Sequence, residues 1–133
     1  MFNLDDERIL NAINDKMDEI TDNIFTNSQS IIVEKNIIDE GTLLKSGTIE
    51  RDYLNKSITY GVSYAEEIEY GRSPGTMPPI EPIKQWIRRK GLVKTEAGVN
   101  RFAFNIIKDI KANGQEPRPF LVPAIDMEKN KFK

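Results

Sequence analysis

Ile9, Ile13, Met17, Ile20 and Ile24 recur at steps of three and four, and Leu10 and Phe25 widen the stripe. That spacing is one face of a helix, and it predicts a long N-terminal helix over 1–34. Asp5 and Asp6 are placed to cap its start, where acids also suit the helix dipole. No breaker interrupts the pattern through Ser28 to Ile32. From Ile9 to Ile32 this pattern spans about seven turns, long for a small domain. Most of its stripe belongs in a core, and its first turns are expected to project beyond it.

Residues 36–46 read as a turn and a short helical step capped by Thr42. The period then changes to two. Ile49, Arg51 and Tyr53 alternate with Thr48, Glu50 and Asp52, and Ile58, Tyr60 and Val62 alternate with Thr59, Gly61 and Ser63. Joined through Leu54-Asn55-Lys56, these runs predict an antiparallel hairpin over about 47–63. Arg51 is the odd residue on its apolar face. A lone hairpin is marginal, so one or two further strands are expected. The extended segments near Gly71–Met77 and Arg118–Leu121 are the candidates, either here or against a neighbouring subunit. Tyr64–Tyr70 reads as a helical turn stopped by Gly71, completing a hairpin region over 42–70.

Residues 71–82 hold four prolines and two glycines. Proline fixes φ and removes a donor, so this is a stiff loop. Two helices follow within 82–113. Pro82 suits the first position of one, which carries Ile83, Trp86 and Ile87 on one side and stops at Gly91. The other runs from about Glu96 to Asn113, with Phe102, Ile106 and Ile110 on one face and Gly114 as its stop. Residues 117–133 read as a C-terminal arm, extended through Ile125 and followed by a final polar helix or frayed end over Asp126–Lys133. The prediction is one α+β domain over 1–133. A small antiparallel sheet is packed by the long N-terminal helix and two or three shorter helices.

Composition narrows the chemistry. The 133 residues include no cysteine and no histidine. Thiol nucleophiles, thiolate metal sites, serine-type triads and two-histidine metal centres are thereby excluded. No run of 18 apolar residues exists to span a bilayer. The Met-Phe-Asn-Leu-Asp-Asp start has neither the basic flank nor the apolar core of a secretion signal, so assembly in a cytoplasm is expected.

The net charge of −2 conceals a strong asymmetry. Residues 1–29 carry seven acids against Arg8 and Lys16, a balance of 2 − 7 = −5. Residues 84–113 carry eight bases against Glu96 and Asp109, a balance of 8 − 2 = +6. Two solvated helix faces would look like this. So would a bipolar subunit whose copies or partners meet through surfaces of opposite sign.

Two clusters could carry chemistry. Glu66, Glu67, Glu69 and Glu81 could hold Mg²⁺ for a histidine-free nuclease, although helical spacing scatters the first three over more than one face. The run Lys84-Gln85-Trp86-Ile87-Arg88-Arg89-Lys90 has the cations and the aromatic of a nucleic-acid helix. Helical spacing, however, puts Trp86 with Ile83 and Ile87, facing inward. Lys84, Arg88, Arg89 and Lys90 then fan outward, toward DNA or toward an acidic partner. Gly71, Gly75, Gly91 and Gly98 form no phosphate loop. Neither a cofactor nor enzymatic activity is expected.

Three phrases occur in order: Asp39-Glu40-Gly41-Thr42-Leu43-Leu44-Lys45-Ser46, then Tyr64-Ala65-Glu66-Glu67-Ile68-Glu69-Tyr70-Gly71, then Arg118-Pro119-Phe120-Leu121-Val122-Pro123-Ala124. Between the last two lies Pro78-Pro79-Ile80-Glu81-Pro82-Ile83-Lys84-Gln85-Trp86-Ile87-Arg88-Arg89-Lys90-Gly91. Together they resemble the neck, or tail-completion, proteins of long-tailed bacteriophages. That family shows a (D)TG-x-L-x-x-S step, a YA-x-x-(V/I)E-(F/Y)G phrase and an RPF-(L/F)-x-PA ending, and many members carry a PP-x-x-x-(I/L)-x-x-W-(I/V)-x-x-KG insert. The resemblance covers roughly residues 39–125. Asp39-Glu40-Gly41-Thr42 departs from the family's Asp-Thr-Gly, which shifts the capping register there.

The resemblance implies a non-enzymatic virion protein between head connector and tail tube, in a ring of six or twelve copies. Its partners would be other copies, head-completion proteins and a tail terminator or tube protein, with non-specific DNA contact in the channel. In such a ring, Arg72, Pro74, Met77 and Pro78 of the stiff loop would lie on a neighbour, as would Arg118, Phe120 and Leu121 of the tail. The alternative is a nucleic-acid-binding module that uses the basic helices over 84–111.

Overall fold

A computed structural model describes residues 3–35, 37 and 40–133. The expected turn at Asn36 and the Asp39 of the first phrase lie outside the described residues. Among the described residues, six helices and one two-stranded antiparallel sheet make a small α+β fold.

The first helix, α1 (Leu4–Glu34), has 31 residues and is about 46 Å long at 1.5 Å per residue. Its cap is Asn3 rather than Asp5 or Asp6. The Asn3 side chain accepts from the Asp6 N–H at 2.9 Å, and the Asp6 carboxylate accepts from the Asn3 N–H at 3.3 Å. This reciprocal box satisfies two of the four orphan donors of the first turn. A short helix, α2 (Glu40–Lys45), buries Leu43 and contains Thr42 instead of being capped by it.

The hairpin pairs β1 (Gly47–Asp52) with β2 (Asn55–Tyr60) in the register Ile49↔Ile58, Arg51↔Lys56, Asp52↔Asn55. The turn is thus Tyr53-Leu54, one residue earlier than the sequence suggested. Leu54 adopts a left-handed φ of 58°, and its N–H is held by Asn14 Oδ1 of α1 at 2.9 Å. Among the described residues the sheet stays at two strands. The extra stability comes from α1, along which the hairpin lies. Tyr53 Oη donates to Asn11, and Gln29 donates to Tyr60 Oη. The Tyr60 ring stacks on Phe25 and meets Phe120 edge-on at 4.9 Å.

Helix α3 (Ala65–Tyr70) ends at Gly71 as expected. The segment after it meets Gln115 in an isolated bridge in place of a third strand. The Arg72 N–H donates to the Gln115 carbonyl at 2.8 Å, and the Gln115 N–H returns to the Arg72 carbonyl at 2.7 Å. Between these two points the chain makes an excursion built from α4 (Ile80–Lys90) and α5 (Glu96–Asn113). Helix α4 starts two residues before Pro82. A proline at the third helical position costs no intrahelical bond, because that N–H has no intrahelical acceptor. Val99, Ala103 and Ile107 are the buried stripe of α5, whereas Phe102 is 41% exposed.

The expected extended tail stops early. Helix α6 (Leu121–Asn130) starts within the proline-rich phrase and again places a proline, Pro123, third. It packs antiparallel to α1 rather than forming an arm. Phe120 at its start joins Ile32, while Asn23 reaches Glu128 at 3.3 Å and Lys16 lies 5.9 Å from the Phe132 ring.

The apolar interior is divided where a single core was expected. Ile32, Ile37, Leu43, Ile68 and Phe120 form one cluster. Ile83, Ile87, Val99, Ala103 and Ile107 form another within the α4–α5 excursion, with Trp86 packed inward against it. Pinching the chain at Arg72 and Gln115 separates them.

Candidate functional site

The resemblance-bearing phrases converge at the base of the excursion. The carboxylate of Glu69, 7% exposed, accepts from three consecutive backbone donors. Phe120 N–H is 3.2 Å and Leu121 N–H 2.9 Å from Oε1, and Val122 N–H is 3.2 Å from Oε2. The fourth orphan donor of α6 does not exist, because Pro123 occupies that position. The helix start is therefore fully satisfied, and a negative charge sits at its positive pole. Sequence reasoning grouped Glu69 with a metal-binding carboxylate set and missed this role. The readable signal was Pro123, a proline at a helix start that leaves three donors in need of an acceptor.

Close backbone approach completes the base. Gly71 (φ 79°) and Gly114 (φ 75°) flank the Arg72–Gln115 bridge from opposite sides. A Cβ on Gly71 would lie 2.7 Å from the Gln115 carbonyl oxygen, and one on Gly114 would lie 2.6 Å from that of Arg72. Glycine is required twice, for the left-handed φ and for the space. Gly75 N–H adds a bond to the Lys111 carbonyl at 2.7 Å, and Arg118 N–H adds one to Ile68 at 2.7 Å.

A cleft of about 350 Å³ remains between the two apolar clusters. Ile37, Tyr64 and Ile68 line it on one side and Ile83, Ile106 and Ile110 on the other, with Pro78 and Pro79 at its edge. Glu67 and Arg72 also line it and form an ion pair at 3.1 Å. Glu67 Oε2 and Arg72 Nε are buried there without a hydrogen-bond partner. The apolar walls suit the packing of an apolar group beside this ion pair.

The expected contact residues divide between interior and surface. Phe120 is 2% exposed and belongs to the core, so it has no surface to offer a neighbour. Leu121 is half-buried against the same cluster. Arg72 is committed to Glu67 and to the bridge. Pro78 lines the cleft, and Arg118 stands at its rim with its guanidinium 3.5 Å from the Lys35 carbonyl. Pro74 and Met77 are exposed.

Of the cations, Lys84 lies 3.7 Å from Glu81. Arg88 binds Glu96 through Nε at 3.1 and 3.3 Å and through Nη2. This hydrogen-bonded pair lowers the Glu96 carboxyl below its usual range and raises the Arg88 guanidinium. Arg89 and Lys90 are exposed at the C-terminal end of α4, where positive charge meets the negative pole of the helix dipole.

The four candidate metal carboxylates are dispersed. Glu66 is exposed, Glu67 pairs with Arg72, Glu69 caps α6 and Glu81 meets Lys84. Among the described residues no three carboxylates gather as a metal site, and no helix is long and apolar enough to cross a membrane.

The acidic helix is partly neutralised inside the molecule. Arg51 and Lys56, cross-strand neighbours on the inner face of the hairpin, reach Asp18 at 3.2 Å each, and Arg51 also binds Asp22. The Lys56 hydrogen bond, aided by Arg51, holds the Asp18 carboxyl below its ordinary value. Arg51, the anomaly of the apolar strand face, is thus the residue that fastens the hairpin to α1.

Comparisons of this chain with protein families, with curated proteins and with solved structures return no match.

Proposed function

We propose that this chain is a structural component of a phage neck, a ring-forming tail-completion or head–tail joining protein seated between connector and tail tube. One observation carries the reading. The phrases that resemble the family, distant in sequence, act as one device: Glu69 of the second caps the helix opened by the third, and Ile68 and Phe120 share a core with Leu43 of the first. That the phrases act together in one fold is what supports reading them as a family signature. The surfaces also suit a part that works by contact. One end is acidic and the α4–α5 excursion is basic, as neighbours in a closed heterologous ring require.

Removing the gene from the parent phage is expected to give filled heads and separate tails, and supplying the chain in trans is expected to restore joined particles. Infectious particles formed without it would refute the proposal.

A second reading draws on the outer face of α5, where exposed Phe104 stands among Arg101, Lys108 and Lys111. Cations around an exposed ring are the elements of a single-strand platform. That reading requires tight binding of DNA that falls steeply with salt. Micromolar or weaker binding, flat in salt, would leave the face to protein contact.

A further inference from the structure

Two exposed surfaces complement each other and do not cover one another within one molecule. The turn of the hairpin reaches α1 at Asn11 and Asn14, and the end of α6 reaches it at Lys16. On the side of α1 turned away from the hairpin, the turns before Lys16 are exposed among the described residues. There the apolar stripe continues as Ile9 (59% exposed) and Ile13 (46% exposed), one and two turns after Asp5. Asp5 and Asp6 flank it at the start of the helix and form no ion pair among the described residues, whereas Asp18 and Asp22 further along are spent on the hairpin.

The other surface is α5. Arg101, Phe104, Lys108 and Lys111 follow at steps of three and four, a side distinct from the buried Val99–Ala103–Ile107 stripe. Phe104 is 50% exposed, and Lys108 Nζ lies 5.6 Å from its ring centre. Arg101, Lys108 and Lys111 have no carboxylate partner among the described residues. The excursion joins the body beside Ile37, just past the C-terminal end of α1. Most of the helix, about 46 Å long, separates this block from the acidic stripe.

We infer that the Asp5–Ile9–Ile13 edge of α1 docks on the Arg101–Phe104–Lys108–Lys111 face of α5 in a second copy of this chain. The inference rests on the ring reading above and specifies the contact between neighbours. Ile9 and Ile13 pack on the Phe104 ring, and the flanking acids meet the three cations. The contact is heterologous, so it propagates until the rotation closes. One helix edge on one helix face is a small interface, so a single pair associates weakly and the gain comes from closure.

Because the chain has no cysteine, single-cysteine variants report this contact cleanly. Ile9→Cys and Phe104→Cys replace exposed side chains. Circular dichroism melts of each, matching the unsubstituted chain, establish that both fold. Mixed and oxidised, they are expected to form a mutual disulfide-linked dimer. The control is Ile9→Cys mixed with Thr59→Cys, on the outer face of the hairpin, and it is expected to give only background. Adding Arg101→Glu and Lys108→Glu to the Phe104→Cys chain should cut the yield about tenfold.

Yield no greater than the control would overturn the inference, as would Ile9→Cys chains that link chiefly to one another. The two readings fail separately. A missing cross-link together with restored head–tail joining by the unsubstituted chain discards this contact and leaves the ring. A strong cross-link with joining unaffected by gene removal discards the neck assignment and leaves the self-association.

Discussion

Removing the Glu69 carboxylate tests the central device of the fold. Three donors converge on it at 2.9–3.2 Å. An orphaned buried N–H costs about 1–3 kcal/mol. Phe120 N–H lies in the fully buried part, so about 2 kcal/mol attaches to it, whereas the donors of Leu121 and Val122 border solvent and recover part of their loss from water. With the lost charge–dipole attraction of about 0.5–1 kcal/mol, Glu69→Ala is expected to cost about 3–4 kcal/mol. Glu69→Gln separates geometry from charge. Its carbonyl oxygen can stand at Oε1 and keep the Phe120 and Leu121 bonds, while its NH₂ turns a donor toward Val122 N–H. About 1.5 kcal/mol is therefore expected from one lost bond and the lost charge. Urea unfolding with unchanged m gives both numbers. An alanine variant within about 0.5 kcal/mol of the parent would refute the capping role. Equal losses for glutamine and alanine would refute the assignment of two retained bonds.

Further expectations distinguish interior from surface. Phe120→Ala should cost about 3–5 kcal/mol as a core truncation, against less than about 0.5 kcal/mol for Met77→Ala, measured in the same denaturant series. Gly114→Ala combines a left-handed φ with a Cβ 2.6 Å from a carbonyl oxygen, whereas Gly75→Ala, at φ 102°, has nothing within 4 Å. Thermal melts should place Gly114→Ala clearly below Gly75→Ala, and equal melting points would deny the close approach. The Asp18 carboxyl is depressed in the folded chain, so its pairing supports stability above the unfolded carboxyl value and is lost as pH falls through the lower folded one. A carbon-detected titration should find its midpoint below the ordinary 3.8 and return it upward in Lys56→Met. An unmoved midpoint would remove Lys56 as the cause.

Much of this architecture was legible in the sequence because its elements are local. The α1 stripe, the hairpin alternation and the glycine stops at 71, 91 and 114 each report a short-range requirement. What escaped was long-range. Pro82 and Pro123 suggested a helix start and an extended tail, yet each occupies the third position of its helix, where proline is silent in the hydrogen-bond ladder. The first case moved a boundary, and the second hid the first half of a helix. Arg51 read as an error of pattern because its partners, Asp18 and Asp22, are about thirty residues away. Glu69 read as a possible ligand because its three donors are about fifty residues away. Phe102 was misjudged for a different reason. On α5 the burial stripe runs through the small Ala103, and the two large rings beside it are turned outward.

This division bears on where partner specificity resides. Ile68, Glu69 and Gly71, with Phe120 and Ala124, are consumed by the core, the cap and the pinched base, and Leu43 by the same core. A neighbour touching the folded chain does not meet them. The surfaces left for contact include the uncovered end of α1, the outer side of α5 and the exposed Pro74 and Met77, and within the family-like phrases Glu66, Tyr70 and Val122 are exposed as well. The buried members of these phrases thus serve the fold, and the acidic and basic faces are the surfaces the proposed assembly would use. Charge reversal at Arg101 and Lys108 should then alter assembly and leave the unfolding midpoint within about 0.5 kcal/mol, whereas Glu69→Ala should lower the midpoint first. A chain in which Glu69→Ala abolished assembly with undiminished stability would break this separation, since it would make the cap itself a contact surface.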